Sequence, residues 1–420
     1  MVDNLLVFQA CLGIVVFLIF SLFLSENRRK VDYKFAILGL VIQAFLAFLI
    51  TKITVVQNAF LWLSEGINKL KCATCEGTKF VFGYLGGGDV PFLMKEGASP
   101  FIFAFQPLPM VMVVSAISML LFHWKILPLI VHGFSWALRK SLNIGGALGV
   151  CAAAKVFLGQ TEAPLLIRPY LAKFTRSELF TVMTAGMATT SASIMILYGQ
   201  ILENTIAHPI SHILTASIIS IPAAITISRI MIPQTGEDTS GELVLPYHFS
   251  GAMDAVSQGA SDGMKLFLNI IAMLIVTLAL VALMNYILGN FPAFDHEPIT
   301  LQRILGIVMA PVTWLMGIPW EEAKTAGNLL GTKTILNEVV AFIDLANLKA
   351  TLSPHTNLIM TYALCGFANL SSIGIQIGGL GTMVPERRAE IISLGFRALI
   401  AGTIASCLSG TLMGLLFWMN

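Results

Sequence analysis

Charge is what this 420-residue chain has least of: Asp, Glu, Lys and Arg make up 11% of it, against about 25% in a soluble domain. That is too little to cover a water-facing surface of this size. With 56% hydrophobic residues and a mean hydropathy of +0.82, the excess apolar area belongs in lipid. The formal net charge is +2, which leaves no basic field for a nucleic acid polymer. Charge-block tails and low-complexity segments are absent. Cysteine is sparse, at Cys11, Cys72, Cys75, Cys151, Cys365 and Cys407. Only Cys72 and Cys75 are neighbours, and a structural zinc site needs four ligands. With no thioredoxin-like setting either, they read as an incidental pair in a loop. The histidines, among them His123, His132, His208 and His296, show no metal-ligand spacing and no His-Glu-x-x-His. Neither a metal site, an organic cofactor nor a catalytic set is expected, which disfavours an intramembrane enzyme.

What the chain has instead is apolar length. A spanning helix needs roughly 20 apolar residues, and eight segments qualify: 5–24, 35–51, 100–122, 179–202, 210–232, 264–288, 357–380 and 391–418. The first is followed, not preceded, by Arg28, Arg29 and Lys30. That is the reverse of a signal peptide's charge order, so it reads as a spanning helix. A short amphipathic helix at 60–71, lying on the membrane or packing on its neighbours, precedes a Gly-rich loop at Gly86, Gly87, Gly88 and Asp89. Three basic clusters orient the chain by the positive-inside rule: Arg28 to Lys34, then Arg168, Lys173 and Arg176, then Arg387 and Arg388. All fall on the cytoplasmic side if both termini face out. The loop 234–247 dissents with Glu237, Asp238 and Glu242, but acidic residues weigh little in this rule.

Two stretches, 126–171 and 301–345, are apolar but interrupted by Gly, Pro and polar residues: Gln160-Thr161-Glu162 in one, Asn337-Glu338 in the other. Broken helices are tolerated at membrane depth only where they line a cavity or are buried in protein. The two align. Trp136 to Gln160 and Trp314 to Glu338 are both 24 positions, and in that register Gly149 meets Gly327, Lys155 meets Lys333, and Leu158 meets Leu336. Each is followed by two expected spans, and the two begin on opposite sides of the membrane. Inverted repeats with paired broken segments point to a transporter site near the midplane.

Glu162 and Glu338 then sit at the tips of two re-entrant hairpins. A buried carboxylate must be paired or neutralised; it caps its hairpin or binds a polar ligand. Gln160, Asn337 and Asn369 both donate and accept, whereas ionised carboxylates only accept, a mixture that suits a hydroxyl- and amide-rich solute. The runs Ala188-Thr189-Thr190-Ser191-Ala192-Ser193 and Ala368-Asn369-Leu370-Ser371-Ser372 occupy matching spans of the two repeats. Small hydroxyl residues also promote close helix packing, but freed carbonyls and hydroxyls here offer oxygens to a cation or a solute. Lys155, with Glu162 as its nearest candidate partner, either pairs or snorkels to the interface. Arg397 lies inside the last span and is expected to face protein. A channel would need a continuous polar lining, whereas the polar residues here converge on two tips.

Three motifs are recognisable. The run Gly159-Gln160-Thr161-Glu162-Ala163-Pro164-Leu165-Leu166-Ile167-Arg168-Pro169-Tyr170, the run from Gly331-Thr332-Lys333 to Leu336-Asn337-Glu338-Val339-Val340-Ala341-Phe342, and Gly366-Phe367-Ala368-Asn369-Leu370-Ser371-Ser372-Ile373-Gly374-Ile375 resemble, in order, the first-hairpin, second-hairpin and seventh-helix signatures of the concentrative nucleoside transporters. The resemblance covers nearly the whole chain. It implies an all-α polytopic membrane protein of about eight transmembrane helices, two re-entrant hairpins in an inverted repeat, and interfacial amphipathic helices. The units are 1–125 (three scaffold helices with an interfacial helix), 126–233 (first repeat), 234–298 (sixth helix, scaffold and trimerisation) and 299–420 (second repeat). It implies a homotrimer in a bacterial inner membrane that imports nucleosides by an elevator motion, coupled to sodium or protons. The hairpins and helices four, five, seven and eight form the moving unit.

By the same resemblance, Gln160, Thr161, Glu162 and Ile194 contact the base, and Glu338, Asn369 and Ser372 contact the ribose, with Phe367 nearby. The sodium site of coupled members maps to the place of Lys155, the Leu158 carbonyl, Thr189 and the Thr190 carbonyl. Those members usually carry Asn where this chain has Lys155. A protonated amine offers no lone pair, and two unit charges about 4 Å apart repel by roughly 4 kcal/mol at an effective dielectric near 20. This favours proton over sodium coupling. A sodium symporter and a carrier of a related solute, such as a nucleobase or a sugar, are the alternatives.

Overall fold

The protein's structure, a computed structural model, describes residues 2–93, 101–241, 243–244, 249–291 and 298–417. Regular structure among them is entirely helical. This is what lipid demands of a chain with no water to satisfy its peptide groups. Pro100 and Trp418, at the ends of two expected spans, lie outside the described residues, as do Glu242 and His296.

The chain opens with α1 (Val2–Phe23) and α2 (Tyr33–Lys52). Asp32 caps α2 by accepting from the Lys34 and Phe35 amides at 3.0 and 3.1 Å, satisfying donors a helix start leaves free. Next come α3 (Thr54–Phe82), α4 (Met110–His123) and α5 (Ile126–Leu142). Lys125, left-handed at φ 61°, turns α4 into α5 through 79°. The first interrupted stretch gives α6 (Gly146–Ala154), α7 (Glu162–Leu165) and α8 (Arg168–Leu171). It is followed by α9 (Arg176–Ala188), α10 (Ala192–Ile201) and α11 (Pro209–Met231). A Thr175–Glu178 capping box starts α9. The long α12 (Ala252–Leu288) separates this group from α13 (Leu301–Leu315), α14 (Trp320–Ile335), α15 (Glu338–Asn347), α16 (Pro354–Leu364), α17 (Leu370–Met383) and α18 (Arg388–Phe417). Each group has the same order: an amphipathic helix, a helix broken at a polar tip, a split helix and a long helix.

Six spans among the described residues are long and apolar enough to cross a membrane, with α9 and α10 taken together as one of them, or seven if the bent α4–α5 pair also counts as one. Two expected spans are split. Segment 179–202 breaks at Thr189–Ser191, between α9 and α10. Segment 357–380 breaks between Leu364 and Leu370, so that neither α16 nor α17 is long enough alone. The short helix expected at 60–71 is part of the 29-residue α3. Cys72 and Cys75 lie on it, one turn apart and unbonded, rather than in a loop. The third expected span is shorter than its apolar run, with helix only from Met110.

The interior is formed by α9, α11, α16 and α18, with α1 and α2 laid against α11 and α18. In α9–α10 and in α11, 89% of the apolar window is buried; in α12 it is 11%. α12 is therefore an outer wall, and it packs mainly on α4. Hydroxyls and amides tie the interior helices: Gln43 donates to Ser409 at 3.1 Å, Ser409 lies 3.0 Å from Ser220, and Thr181 lies 2.9 Å from Ser228. Such contacts hold helices together where the solvent is as apolar as the side chains.

One end of the bundle gathers all three basic clusters. Glu26 accepts from Arg176 at 2.9 Å and from Arg397 at 2.8 Å. Arg176 reaches Glu390 at 3.4 Å, and Arg387 pairs with Glu390 at 2.7 Å while donating to the Leu171 and Phe174 carbonyls. Arg397 thus faces protein. Asp238 of the dissenting acidic loop pairs with Arg229 at 2.7 Å. Hydrogen bonding from Arg176, with the charges of Arg176 and Arg397, holds the Glu26 carboxyl below its ordinary range.

Candidate substrate site

The two split helices cross at their breaks. A methyl group on Gly366, in the break between α16 and α17, would lie 2.8 Å from the Ala188 carbonyl oxygen at the end of α9. Only a glycine, here at φ 153°, permits that approach. Both breaks free backbone groups, and side chains satisfy some of them. Asn369 caps α17 by accepting from the Ser372 amide at 2.8 Å, and the Thr190 amide donates to Ser217 at 3.3 Å.

The hairpin tips dock against these breaks. The Ala192 amide at the start of α10 donates to the Phe157 carbonyl at 3.1 Å, which joins the first tip to the first break. At the second tip Asn337 caps α15, accepting from the Val340 amide at 3.0 Å. Glu338 then reaches the second break: Asn369 donates to its Oε2 at 2.8 Å, and Tyr198 donates to its Oε1 at 2.7 Å. An ionised carboxylate offers about four acceptor positions. These two bonds leave half of them open.

Tips and breaks enclose a cavity of about 440 Å³, walled on its far side by α12. This falls within the range of small-molecule sites, about 300–1,000 Å³. Gln160, Thr161, Glu162, Ile194, Glu338, Phe367, Asn369 and Ser372 all line it. Glu162 and Glu338, 176 positions apart (338 − 162), therefore open onto the same space rather than onto hydrocarbon. Gln160 is buried and its Oε1 has no partner among the described residues. Glu162 accepts from the Gly159 amide at 3.1 Å.

The four residues of the expected cation position are buried behind the first tip rather than in the cavity. Lys155 is 1% exposed, and its Nζ donates to the Gly159 carbonyl at 3.3 Å. It rests over Gly186 of α9, where a methyl group would come within 3.1 Å of the ammonium. Thr189 lies one turn further along. Its hydroxyl donates to Ala185 at 2.7 Å, and the Leu158 amide donates to Ala154 at 2.8 Å. No hydrogen bond links Lys155 directly to Leu158, Thr189 or Thr190. Lys333 of α14, at the matching position of the sequence alignment, is also buried and donates to the Ala363 carbonyl at the end of α16, at 2.8 Å. Each broken helix therefore carries a lysine against the split-helix region.

Tyr198 has no distinguishing mark in the sequence. It is fully buried, and its ring lies 4.6 Å from that of Phe342. A tyrosine on an apolar helix reads as packing. The available signal is its spacing, one turn beyond Ile194, which puts it on the cavity side of α10. Ser191, Asn337 and Ser371 also line the cavity, as does Asn269 of α12.

A polytopic helical bundle whose polar cavity is built from hairpin tips and split helices is a membrane solute carrier. Comparison with known proteins makes the class specific. Residues 12–85 match the family profile described as "Na+ dependent nucleoside transporter N-terminus", residues 104–205 match "Nucleoside recognition", and residues 212–414 match "Na+ dependent nucleoside transporter C-terminus". A Bacillus subtilis protein named "Uncharacterized transporter YutK" is 36% identical, with 96% of this chain and 98% of that one covered. The Helicobacter pylori "Nucleoside permease NupC" is 34% identical over 97% of each. Among solved structures, CNTnw in an inward-facing substrate-bound state superimposes with a TM-score of 0.90 at 30% identity, covering 99% of both chains. The chain belongs to the concentrative nucleoside transporter family. It is a multi-pass membrane nucleoside transporter of that family.

Proposed function

We propose that the protein imports nucleosides across a bacterial inner membrane by an elevator motion, as a homotrimer with both termini outside, driven by protons. In this reading the two tips are re-entrant hairpins of an inverted repeat, and they carry the solute with the split helices α9–α10 and α16–α17 and with α11 and α18. The observation that carries the substrate assignment is the lining of the 440 Å³ cavity. It holds an open-sided carboxylate, Glu338, and an unpartnered amide oxygen, Gln160. Glu338 accepts the vicinal ribose hydroxyls, with Asn369 and Ser372 beside it. Gln160, Thr161 and Glu162 read the base edge, and Ile194 and Phe367 pack on its faces.

Coupling follows from Lys155. Its buried ammonium stands where sodium-coupled relatives place a metal ligand, and it supplies the positive charge that sodium supplies there. In this reading the Thr189 hydroxyl and the Leu158 and Thr190 carbonyls are the remaining oxygens of the site, while the ammonium of this built-in cation donates to the Gly159 carbonyl. The proton travels on Lys155 or a neighbouring carboxylate. Sodium coupling is the second reading, favoured by the sodium dependence in the description of the matching profiles.

Uptake of labelled uridine and adenosine into proteoliposomes, with sodium and pH gradients imposed separately, tests both parts. Accumulation under an inward proton gradient, at equal rates in sodium and choline, is expected. Saturable stimulation by sodium contradicts the coupling assignment, and no saturable uptake under any gradient contradicts the substrate assignment.

A further inference from the structure

We infer that Asn269 of α12 is a nucleoside-contacting residue on the outer wall of the cavity, a hydrogen bond the solute makes across the boundary between the moving and stationary parts. The inference rests on reading the cavity as the nucleoside site. α12 contributes Leu266, Asn269, Ile270, Met273 and Leu274 to the lining, the spacing of one helix face. Four of the five are apolar. Asn269 is the one group on this wall able to hydrogen bond, midway along the predominantly apolar α12.

Its amide makes no hydrogen bond to any described residue. The contrast with the other amides of the site is informative. Asn337 caps α15, and Asn369 caps α17 while donating to Glu338; their capacity serves the fold. Asn285, further along α12, accepts from the Leu301 amide and donates to Gln302. Asn269 alone of these four serves nothing within the protein. Asn269 is exposed where α12 faces the cavity, so its amide is open to a solute. A solute that offers donors and acceptors opposite it uses a hydrogen-bonding group the fold leaves free.

The position gives the contact a second property. Gln160, Glu162, Glu338 and Asn369 belong to the hairpins and split helices, and in the elevator reading they travel with the solute. Asn269 stays behind. Its hydrogen bond therefore has to break at each transport step. It strengthens binding in this arrangement without strengthening it throughout the cycle. Loss of the amide should raise Kd and KM while leaving the maximal rate unchanged or higher. A role confined to helix packing would instead lower thermal stability and maximal rate together.

The test is equilibrium binding and uptake of labelled uridine by the purified full-length protein and its Asn269→Leu and Asn269→Gln variants, with thermal unfolding recorded for each. Asn269→Leu keeps the side-chain size and should weaken binding about tenfold, the effect of one hydrogen bond. Its maximal uptake rate should not fall. Asn269→Gln should recover most of the affinity. Unchanged uridine affinity in Asn269→Leu overturns the proposal, as does a parallel loss of stability and maximal rate that Asn269→Gln does not reverse. Should the leucine variant fail to fold, Asn269→Ala, which removes the amide and leaves the helix face unfilled, carries the same comparison. Failure of the unaltered protein to bind any nucleoside overturns the reading of the cavity itself, a separate result.

Discussion

Tyr198 and Glu338 are 140 positions apart in sequence, and the tyrosine hydroxyl donates to the carboxylate at 2.7 Å. With Asn369 on the other oxygen at 2.8 Å, this fixes the plane of the carboxylate before any solute arrives. Fixing a hydrogen-bonding group in advance lowers the cost of ordering it on binding. Tyr198→Phe should therefore weaken ribonucleoside affinity by a little over tenfold, the lower end for one neutral-to-charged hydrogen bond. The fold should be intact, because the ring still packs on Phe342. Binding titrations with uridine check this. An affinity equal to that of the unaltered protein removes Tyr198 from the site.

By the family resemblance sodium-coupled members usually carry Asn at the place of Lys155, so Lys155→Asn puts an amide there. On the proton-coupled reading proposed above, this variant loses its built-in cation and gains a ligand oxygen for the proposed site with the Thr189 hydroxyl and the Leu158 carbonyl. Uptake by this variant should become stimulated by sodium, in contrast to the unaltered protein. Initial rates in sodium and in choline, at fixed pH, give the answer. A variant that is active and still indifferent to sodium removes the basis for the substitution of ammonium for metal.

Gly366 holds the crossing of the two split helices. At φ 153°, with only 2.8 Å between an added methyl carbon and the Ala188 oxygen, alanine has neither the backbone freedom nor the space. A strained φ of this kind costs about 1–3 kcal/mol, and the contact adds to it. Gly366→Ala should lower the unfolding temperature in detergent by several degrees and reduce uptake. Alanine at Gly374, where a methyl group meets nothing within 4 Å, is the control and should do neither.

The ion network at the end of the bundle has a defined pH dependence. Glu26 has its proton affinity lowered by Arg176 and Arg397. Its contribution to stability is therefore complete above the ordinary carboxylate range and disappears as the pH falls through the depressed folded-state value. Glu26→Gln should cost about 1 kcal/mol at neutral pH, as for a partly exposed network. It should cost progressively less on acidification and in high salt. Unfolding temperatures across pH and ionic strength check the pattern. A difference that persists unchanged into acid points to packing rather than charge.

Much of this arrangement is legible from residue order. Gln160-Thr161-Glu162 and Asn337-Glu338 stand out because polar groups inside apolar runs are costly unless they line a cavity or find partners. Equal spacing from Trp136 and Trp314 ties the two tips together. The breaks at 189–191 and 365–369 are less visible. Thr, Ser and Gly lower hydropathy only slightly, and Cys365, Phe367 and Ala368 are apolar, so two segments read as whole spans. What stops those helices is tertiary: Asn369 caps α17 rather than continuing a helix, and Gly366 lies against Ala188. The length of α3 is hidden by polar residues after Ile67, whose helical character shows only as amphipathic periodicity. Asn269 and Tyr198 are hidden for opposite reasons. One is a single amide in a long apolar helix, the other an aromatic where aromatics are ordinary.

The central claim is that Glu338, open on two of its acceptor positions, holds the ribose hydroxyls of a nucleoside in the cavity it shares with Glu162. Parallel binding of uridine and 2′,3′-dideoxyuridine to the unaltered protein and to Glu338→Gln tests it most directly. The unaltered protein should prefer uridine by at least about tenfold, for two hydroxyl donors to a carboxylate. The variant should lose that preference while still binding the dideoxy compound. Equal affinity of the unaltered protein for both compounds, or undiminished preference in Glu338→Gln, contradicts it.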